Sequence, residues 1–152
     1  MKMPAFQLVN QHGQQVTEAD LLDQVTILYF YPRDNTPACT TQAVDFTENM
    51  EQFTKKGIQV YGVSGDSMKK HQNFINKYSI GFDLLVDEAF KLSEQLGIYQ
   101  LKKSFGKEAM GIVRTTLIIG PDLEILKRFD KVNVKQQMED IWGFIDENHI
   151  NG

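Results

Sequence analysis

One cysteine, Cys39, stands in a chain of 152 residues. A lone cysteine excludes an internal disulfide, a CxxC redox pair and a cysteine-rich zinc site, and it fits a reducing compartment. Histidine is scarce too. His12, His71 and His149 fall in a turn, a helix and the C-terminus, and no two have metal-ligand spacing. Neither a metal nor another cofactor is expected. Long apolar runs are missing: residues 25–31 and 117–119 are far shorter than the ~20 residues that span a bilayer. Residues 1–10 carry Lys2, Gln7 and Asn10 and lack the apolar core of a signal peptide, so a cytoplasmic chain is expected. There is no basic excess, with 16 basic against 20 acidic residues and a net charge of −4. That argues against nucleic acid or an anionic membrane as partner, since both want strong positive charge.

What is present is the balance of an ordinary globular domain. Hydrophobic residues make up 41% and charged residues 24%, which no collagen, coiled coil or disordered tail would show. No repeat and no Pro/Gly/Ser-rich linker divides the chain, so residues 1–152 read as a single domain. A chain of this size buries roughly 68–70% of its unfolded surface and needs no staple.

The hydropathy pattern predicts the elements in turn. Residues 5–16 alternate loosely around His12-Gly13 as a small β-hairpin. Thr17-Glu18-Ala19-Asp20 resembles a capping box opening a short helical turn. Residues 25–31 (VTILYFY) are apolar on both faces, as a central strand would be, and Pro32 ends them. Thr36 as N-cap and Pro37 at the first position open a helix. Its apolar stripe is Cys39, Ala43, Phe46, Met50 and Phe53, and Gly57 follows as the stop. Residues 58–64 are a second strand, giving a βαβ crossover. A helix from near Ser67 carries His71, Phe74, Ile75 and Tyr78 on one side. Residues 84–86 form a short strand, 88–96 a helix closed by Gly97, and 98–110 a long loop without period. Residues 113–119 and 124–129 flank Gly120-Pro121-Asp122 as a hairpin, and a last helix spans roughly 135–148. Mixed strands with helices on both faces predict a three-layer α/β sandwich.

Cys39 sits where the strongest strand gives way to a helix, the place where open α/β folds bind ligands. It is either the first residue of the apolar stripe or a reactive thiolate favoured by free N–H groups and the helix dipole. Magnitudes sharpen the choice. A thiol of pKa about 8.5 is only about 3% thiolate at pH 7, and lowering it to about 6 takes roughly 3.4 kcal/mol. A helix terminus supplies ~0.3–1 and at most about 2 kcal/mol. A cation at ~4 Å supplies roughly 4 kcal/mol at an effective dielectric constant of about 20. A functional Cys39 therefore requires a nearby cation, and arginine never deprotonates. Arg33 beside the strand end and Arg114 within residues 112–119 (IVRTTLII) are the candidates. Arg33 fits a solvated loop charge. Arg114 is costly inside a sheet unless paired, or else it is a strand-end residue whose head reaches water.

Residues 32–39 read P-x-x-x-T-x-x-C, directly after Tyr29-Phe30-Tyr31. This resembles the active-site motif of the peroxiredoxins. The fuller string YFYPRDNTPACT, with GVSGDS at 62–67 and GIVRTT at 111–116, is similar to the bacterioferritin comigratory protein, or Q-type, branch. The resemblance covers nearly the whole chain, from Pro4 to the last helix. It implies a thioredoxin-like three-layer sandwich with a mixed central sheet and an N-terminal β-hairpin. It also implies a thiol-dependent peroxidase acting on hydrogen peroxide and organic hydroperoxides. In that scheme Cys39 attacks the peroxide, Thr36 orients it, Pro32 shields the sulfur and Arg114 is the activating cation. Thr36 could instead serve only as an N-cap, and Pro32 only as a strand terminator.

Many members of that branch carry a resolving cysteine five residues after the first, where this chain has Val44. The sulfenic acid then has to be resolved by an external thiol, such as thioredoxin or a low-molecular-weight thiol. A monomer or weak homodimer is expected. Two other functions compete. A monothiol thioredoxin-like disulfide oxidoreductase lacks the first cysteine of CxxC here. A non-catalytic thioredoxin-fold binding module would use the Cys39 surface without reacting quickly with peroxide.

Overall fold

The computed structural model describes residues 1–104 and 106–150. In chain order its elements are β1 (Gln7–Val9), β2 (Gln15–Thr17), a 3-10 turn (Glu18–Leu21), β3 (Val25–Phe30), α1 (Pro37–Lys55), β4 (Ile58–Ser64) and α2 (Met68–Tyr78). There follow β5 (Asp83–Val86), a second 3-10 turn (Glu88–Phe90), α3 (Lys91–Gln95), β6 (Tyr99–Ser104), β7 (Lys107–Ile112), β8 (Thr115–Ile119), β9 (Ile125–Phe129) and α4 (Val134–Glu147). Seven strands form one mixed sheet in the order β2-β1-β5-β4-β3-β8-β9. β4 runs parallel to both β3 and β5, whereas β8 pairs antiparallel with β3. This is the thioredoxin-like architecture, with the expected N-terminal hairpin pairing Leu8 with Val16.

All six residues of β3 are buried, as its two apolar faces require. Its alternation divides the core in two. Val25, Ile27 and Tyr29 meet Phe46 and Phe53 of α1, Phe74 of α2 and Ile141 of α4. Leu28 and Phe30 meet Leu21 of the first 3-10 turn and Leu92 of α3. Each buried phenylalanine contributes roughly 1.5–3 kcal/mol, so the first cluster ties α1 firmly over the sheet. Both faces are covered as expected, but unequally: the three long helices share one, and short elements cover the other. The Thr17 capping box is present, with its hydroxyl accepting from Ala19 and its N–H bonding Asp20.

Two segments differ from the sequence-based expectation. Residues 98–110 are not a loop: β6 and β7 form a separate two-stranded ladder, with Tyr99 opposite Ile112 and Lys103 opposite Glu108. Tyr99 and Ile112 pack inward at the base of the ladder, but Leu101, Lys102, Ala109 and Met110 are all exposed, so no period marks the strands. The helix expected over 88–96 is broken. Ala89 and Phe90 both take φ of 57°, which splits a 3-10 turn from the five-residue α3. Gly97, at φ 70°, closes α3 as expected.

Candidate active site

The site is built where β3 ends. Pro32 follows Tyr31, and residues 32–36 turn the chain into α1, with Asn35 at φ 62°. Asparagine tolerates that left-handed conformation better than most residues. Three buried groups hold the turn. The Tyr31 hydroxyl donates to Asp34 Oδ1 at 2.5 Å, and the Asp34 N–H donates to Asp66 Oδ2 at 2.7 Å. His71 of α2, fully buried, sets Nδ1 2.6 Å from Asp34 Oδ2 and bonds the Leu85 carbonyl through Nε2 at 2.9 Å. A carbonyl can only accept, so Nε2 is the donor. His71, which spacing marked only as one side of a helix, thus anchors the loop that carries Pro32 and Thr36.

Burial pushes the Tyr29 and Tyr31 hydroxyls well above their ordinary pKa, and the charges of Cys39 and Asp34 respectively add to it. Below about pH 10 both rings keep their protons in folded and unfolded chains alike. Above it the unfolded chain releases them first, so the folded state binds more protons and stability falls as pH rises. Unfolding free energy from urea titrations should therefore hold up to about pH 9 and fall above about pH 10, with a slope approaching ~1.36 kcal/mol per pH unit for each tyrosine. Tyr29→Phe should make the fall shallower. A flat profile would contradict this burial.

Thr36 occupies the N-cap position of α1, yet its hydroxyl makes no capping bond. It donates instead to the Arg33 carbonyl at 3.1 Å. Among the described residues, the Ala38 and Cys39 N–H groups have no acceptor, and the first helical bond runs from Thr40 to Thr36. Two free donors and the positive end of a 19-residue helix therefore lie at the cysteine. Cys39 is 2% exposed and its thiol is free.

Arg114 lies just before β8, half-buried. Its Nη2 donates to Cys39 Sγ at 3.3 Å and its Nη1 to Gln42 Oε1 at 2.5 Å. The structure thus pairs the costly arginine with the cysteine, while Arg33 stays exposed and donates no hydrogen bond to the sulfur. Gln42 in turn bonds Gln137 of α4, which donates to Thr116 Oγ1 at 3.0 Å. Neither glutamine was singled out by sequence. The available signal was a polar residue on an apolar helical stripe: Gln137 precedes Ile141 and Ile145 at four-residue steps, and Gln42 adjoins Ala43.

Pro32 and Thr36 line a groove of about 670 Å³ together with Phe90, Lys102, Met110 and Ile112. The β6–β7 ladder forms its far wall, so the segment expected as a loop borders the site. Among the described residues no cluster of three or more metal-ligating side chains occurs, and no helix is long and apolar enough to cross a membrane.

Comparison with known proteins identifies the family and the fold. The AhpC/TSA family matches residues 1–128. Peroxiredoxin Bcp of Bacillus subtilis (strain 168) is 42% identical over 137 residues, covering 90% of this chain and 87% of the relative. Peroxiredoxin Bcp of Escherichia coli (strain K12) is 34% identical over 145 residues, covering 95% and 93%. A cysteine-to-serine mutant of peroxiredoxin Q from Xanthomonas campestris superposes with a TM-score of 0.88 at 31% identity, covering 94% of this chain and 91% of that one. The bacterioferritin comigratory protein of the same organism, described for its alkyl peroxide reduction activity, gives 0.88 at 30% identity, covering 94% and 91%. A buried cysteine at a helix N-terminus, bonded by the arginine that immediately precedes β8, thus sits in a fold and sequence shared with these enzymes, and the chain belongs to the AhpC/TSA family as a single-cysteine thiol-dependent peroxidase of the Bcp, or peroxiredoxin Q, group.

Proposed function

We propose that Cys39 is the peroxide-attacking residue, with Arg114, Thr36 and Pro32 completing the site in a single domain of residues 1–152. The observation that carries this assignment is the 3.3 Å bond from Arg114 Nη2 to Cys39 Sγ. The thiolate attacks one peroxide oxygen, forming an S–O bond as the O–O bond breaks. The other oxygen leaves as hydroxide or alkoxide and takes up a proton, and Cys39 becomes a sulfenic acid. Negative charge moves along the S–O–O axis. Arg114 and the free N–H groups of Ala38 and Cys39 are donors preorganised for it. The Thr36 hydroxyl, not engaged in capping, can leave the Arg33 carbonyl to orient the peroxide. Pro32, carrying no N–H, walls the groove beside it.

An external thiol then attacks the sulfenic sulfur and releases water, leaving a mixed disulfide. A second thiol displaces Cys39 as the free thiol and forms the external disulfide. Thioredoxin or a low-molecular-weight thiol fills this role. The groove of about 670 Å³ beside Pro32 and Thr36 supports an organic hydroperoxide as well as hydrogen peroxide as substrate. A reduced lone cysteine suits the cytoplasm and a part in cell redox homeostasis, and the chain acts as a monomer or weak homodimer. The test is stoichiometric. Without reductant the protein should consume one equivalent of hydrogen peroxide per chain in a rapid burst and then stop, and thioredoxin with its reductase, or a small thiol, should restore turnover. A protein that exchanges with mixed disulfides faster than it consumes peroxide would be a disulfide oxidoreductase instead.

Val44 sets a further expectation. Cys39 and residue 44 share the unbroken helix α1, so they are separated by roughly 7.5 Å of rise and about 140° of rotation. Without thiol, repeated peroxide should drive the parent protein to sulfinic and sulfonic acids. Val44→Cys should lessen this overoxidation if the helix unwinds locally to close a disulfide. Mass spectrometry after successive peroxide additions reads the difference. A parent chain that resists as well as Val44→Cys does would reveal another protective route, and non-reducing electrophoresis would show a dimer linked through Cys39.

A further inference from the structure

Behind Arg114 lies a chain of buried amides that joins three elements. Gln42 of α1 is 1% exposed, Gln137 of α4 is 3% exposed and Thr116 of β8 is fully buried. Arg114 donates to Gln42, Gln42 donates to Gln137, and Gln137 donates to Thr116. The direction of this chain is fixed by chemistry. A guanidinium only donates, so the Gln42 oxygen has to face Arg114. The Gln42 NH₂ then faces Gln137, whose oxygen has to accept it. The Gln137 NH₂ is left to donate, and the Thr116 oxygen accepts it.

A reversed Gln42 amide would set donor against donor at Arg114 and acceptor against acceptor at Gln137. Either mismatch is severe in a site this buried. We propose that Gln137, on the C-terminal helix, is a positioning residue of the peroxidase site: it holds the Gln42 amide in the one orientation that fixes the Arg114 guanidinium against Cys39. α4 thereby becomes a third support of the catalytic arginine, although it contributes no group to the reacting atoms. Removing the Gln137 oxygen leaves the Gln42 NH₂ without its partner. Gln42 is then free to turn, and Arg114 loses the contact that steers its second nitrogen to the sulfur.

The inference rests on Arg114 acting on Cys39 as proposed above, so Arg114→Lys is measured in parallel. Gln137→Met keeps the length of the side chain and its helix preference while removing both hydrogen bonds. The second-order rate constant with hydrogen peroxide should fall roughly three- to tenfold, and the pH–rate profile should move to higher pH. In a Gln42→Met background the same change should add nothing, because Gln137 acts only through Gln42. Thr116→Val, which removes only the last acceptor, should give a smaller slowing in the same direction. It carries the test should Gln137→Met fail to fold. A parental rate and pH profile in Gln137→Met overturns the inference, and so does a full additive loss on top of Gln42→Met. A folded Thr116→Val with parental kinetics beside an unfolded Gln137→Met also overturns it. If Arg114→Lys itself is inert, the assignment of Arg114 fails instead.

Discussion

Replacing Cys39 by serine should abolish peroxide consumption while leaving the fold in place. No other side chain in the sequence can take its role, since Cys39 is the only thiol. A serine hydroxyl stays protonated near neutral pH, and the arginine and helix N-terminus together supply only a few kcal/mol, too little to ionise it. Loss of a nucleophile costs a factor on the order of 10³ or more. The change replaces only one buried sulfur of the core by a smaller oxygen, and α1 remains tied down by Ala43, Phe46 and Phe53. Circular dichroism and the urea midpoint should therefore stay close to the parent's, and a peroxide-consumption assay should read background. Substantial turnover in Cys39→Ser would refute the mechanism.

Arg114→Lys should slow the reaction with peroxide at least about tenfold, equivalent to about 1.4 kcal/mol in the barrier. The charge is kept in this variant, so the loss measures geometry. The guanidinium presents one nitrogen to Cys39 Sγ at 3.3 Å and another to Gln42 Oε1 at 2.5 Å. An ammonium is a single point that cannot satisfy both directions, and its strong hydration draws it toward solvent from a half-buried position. Stopped-flow measurement of the second-order rate constant is the test. An unchanged constant would make Arg114 a structural residue at the strand end and return attention to Arg33, whose exposed side chain lines the same groove as Thr36.

The parts of this molecule that were legible in its sequence are those whose chemistry is local or whose burial is one-sided. β4 spans residues 58–64 as its β-branched run implied, and α1 begins at Pro37. The stripe of Cys39, Ala43, Phe46 and Phe53 packs as its spacing required. The β6–β7 ladder was illegible because Leu101 and Met110 lie exposed beside lysines, so neither face alternates. Gly106, at φ 77°, was its only turn signal. The break at Ala89 and Phe90 had no signal at all, since neither residue favours positive φ.

At the site, position left Cys39 as either a stripe residue or a thiolate, magnitude required a cation for the second reading, and neither chose between Arg33 and Arg114. That choice depends on β8 pairing with β3, with Thr115 opposite Phe30, which brings Arg114 to the end of the strand that delivers the cysteine. Thr36 shows the limit of motif logic: it stands at the N-cap, but its hydroxyl bonds backward to Arg33 and not into the helix. The long-range partners His71 and Gln137 became visible only once the chain folded, because each meets its site across tens of residues of sequence.

The central claim is that peroxide oxidises Cys39 to a sulfenic acid that only an outside thiol can resolve. Intact-protein mass spectrometry after one equivalent of hydrogen peroxide reads it directly. Without thiol, the expected species is the monomer carrying one added oxygen, and that oxygen should be absent from Cys39→Ser. One equivalent of a small thiol should convert it to a single thiol adduct with loss of water, and excess thiol should return the starting mass. Rapid peroxide loss with the protein mass unchanged, or an oxygen that localises to a methionine while Cys39 stays alkylatable, would contradict the mechanism.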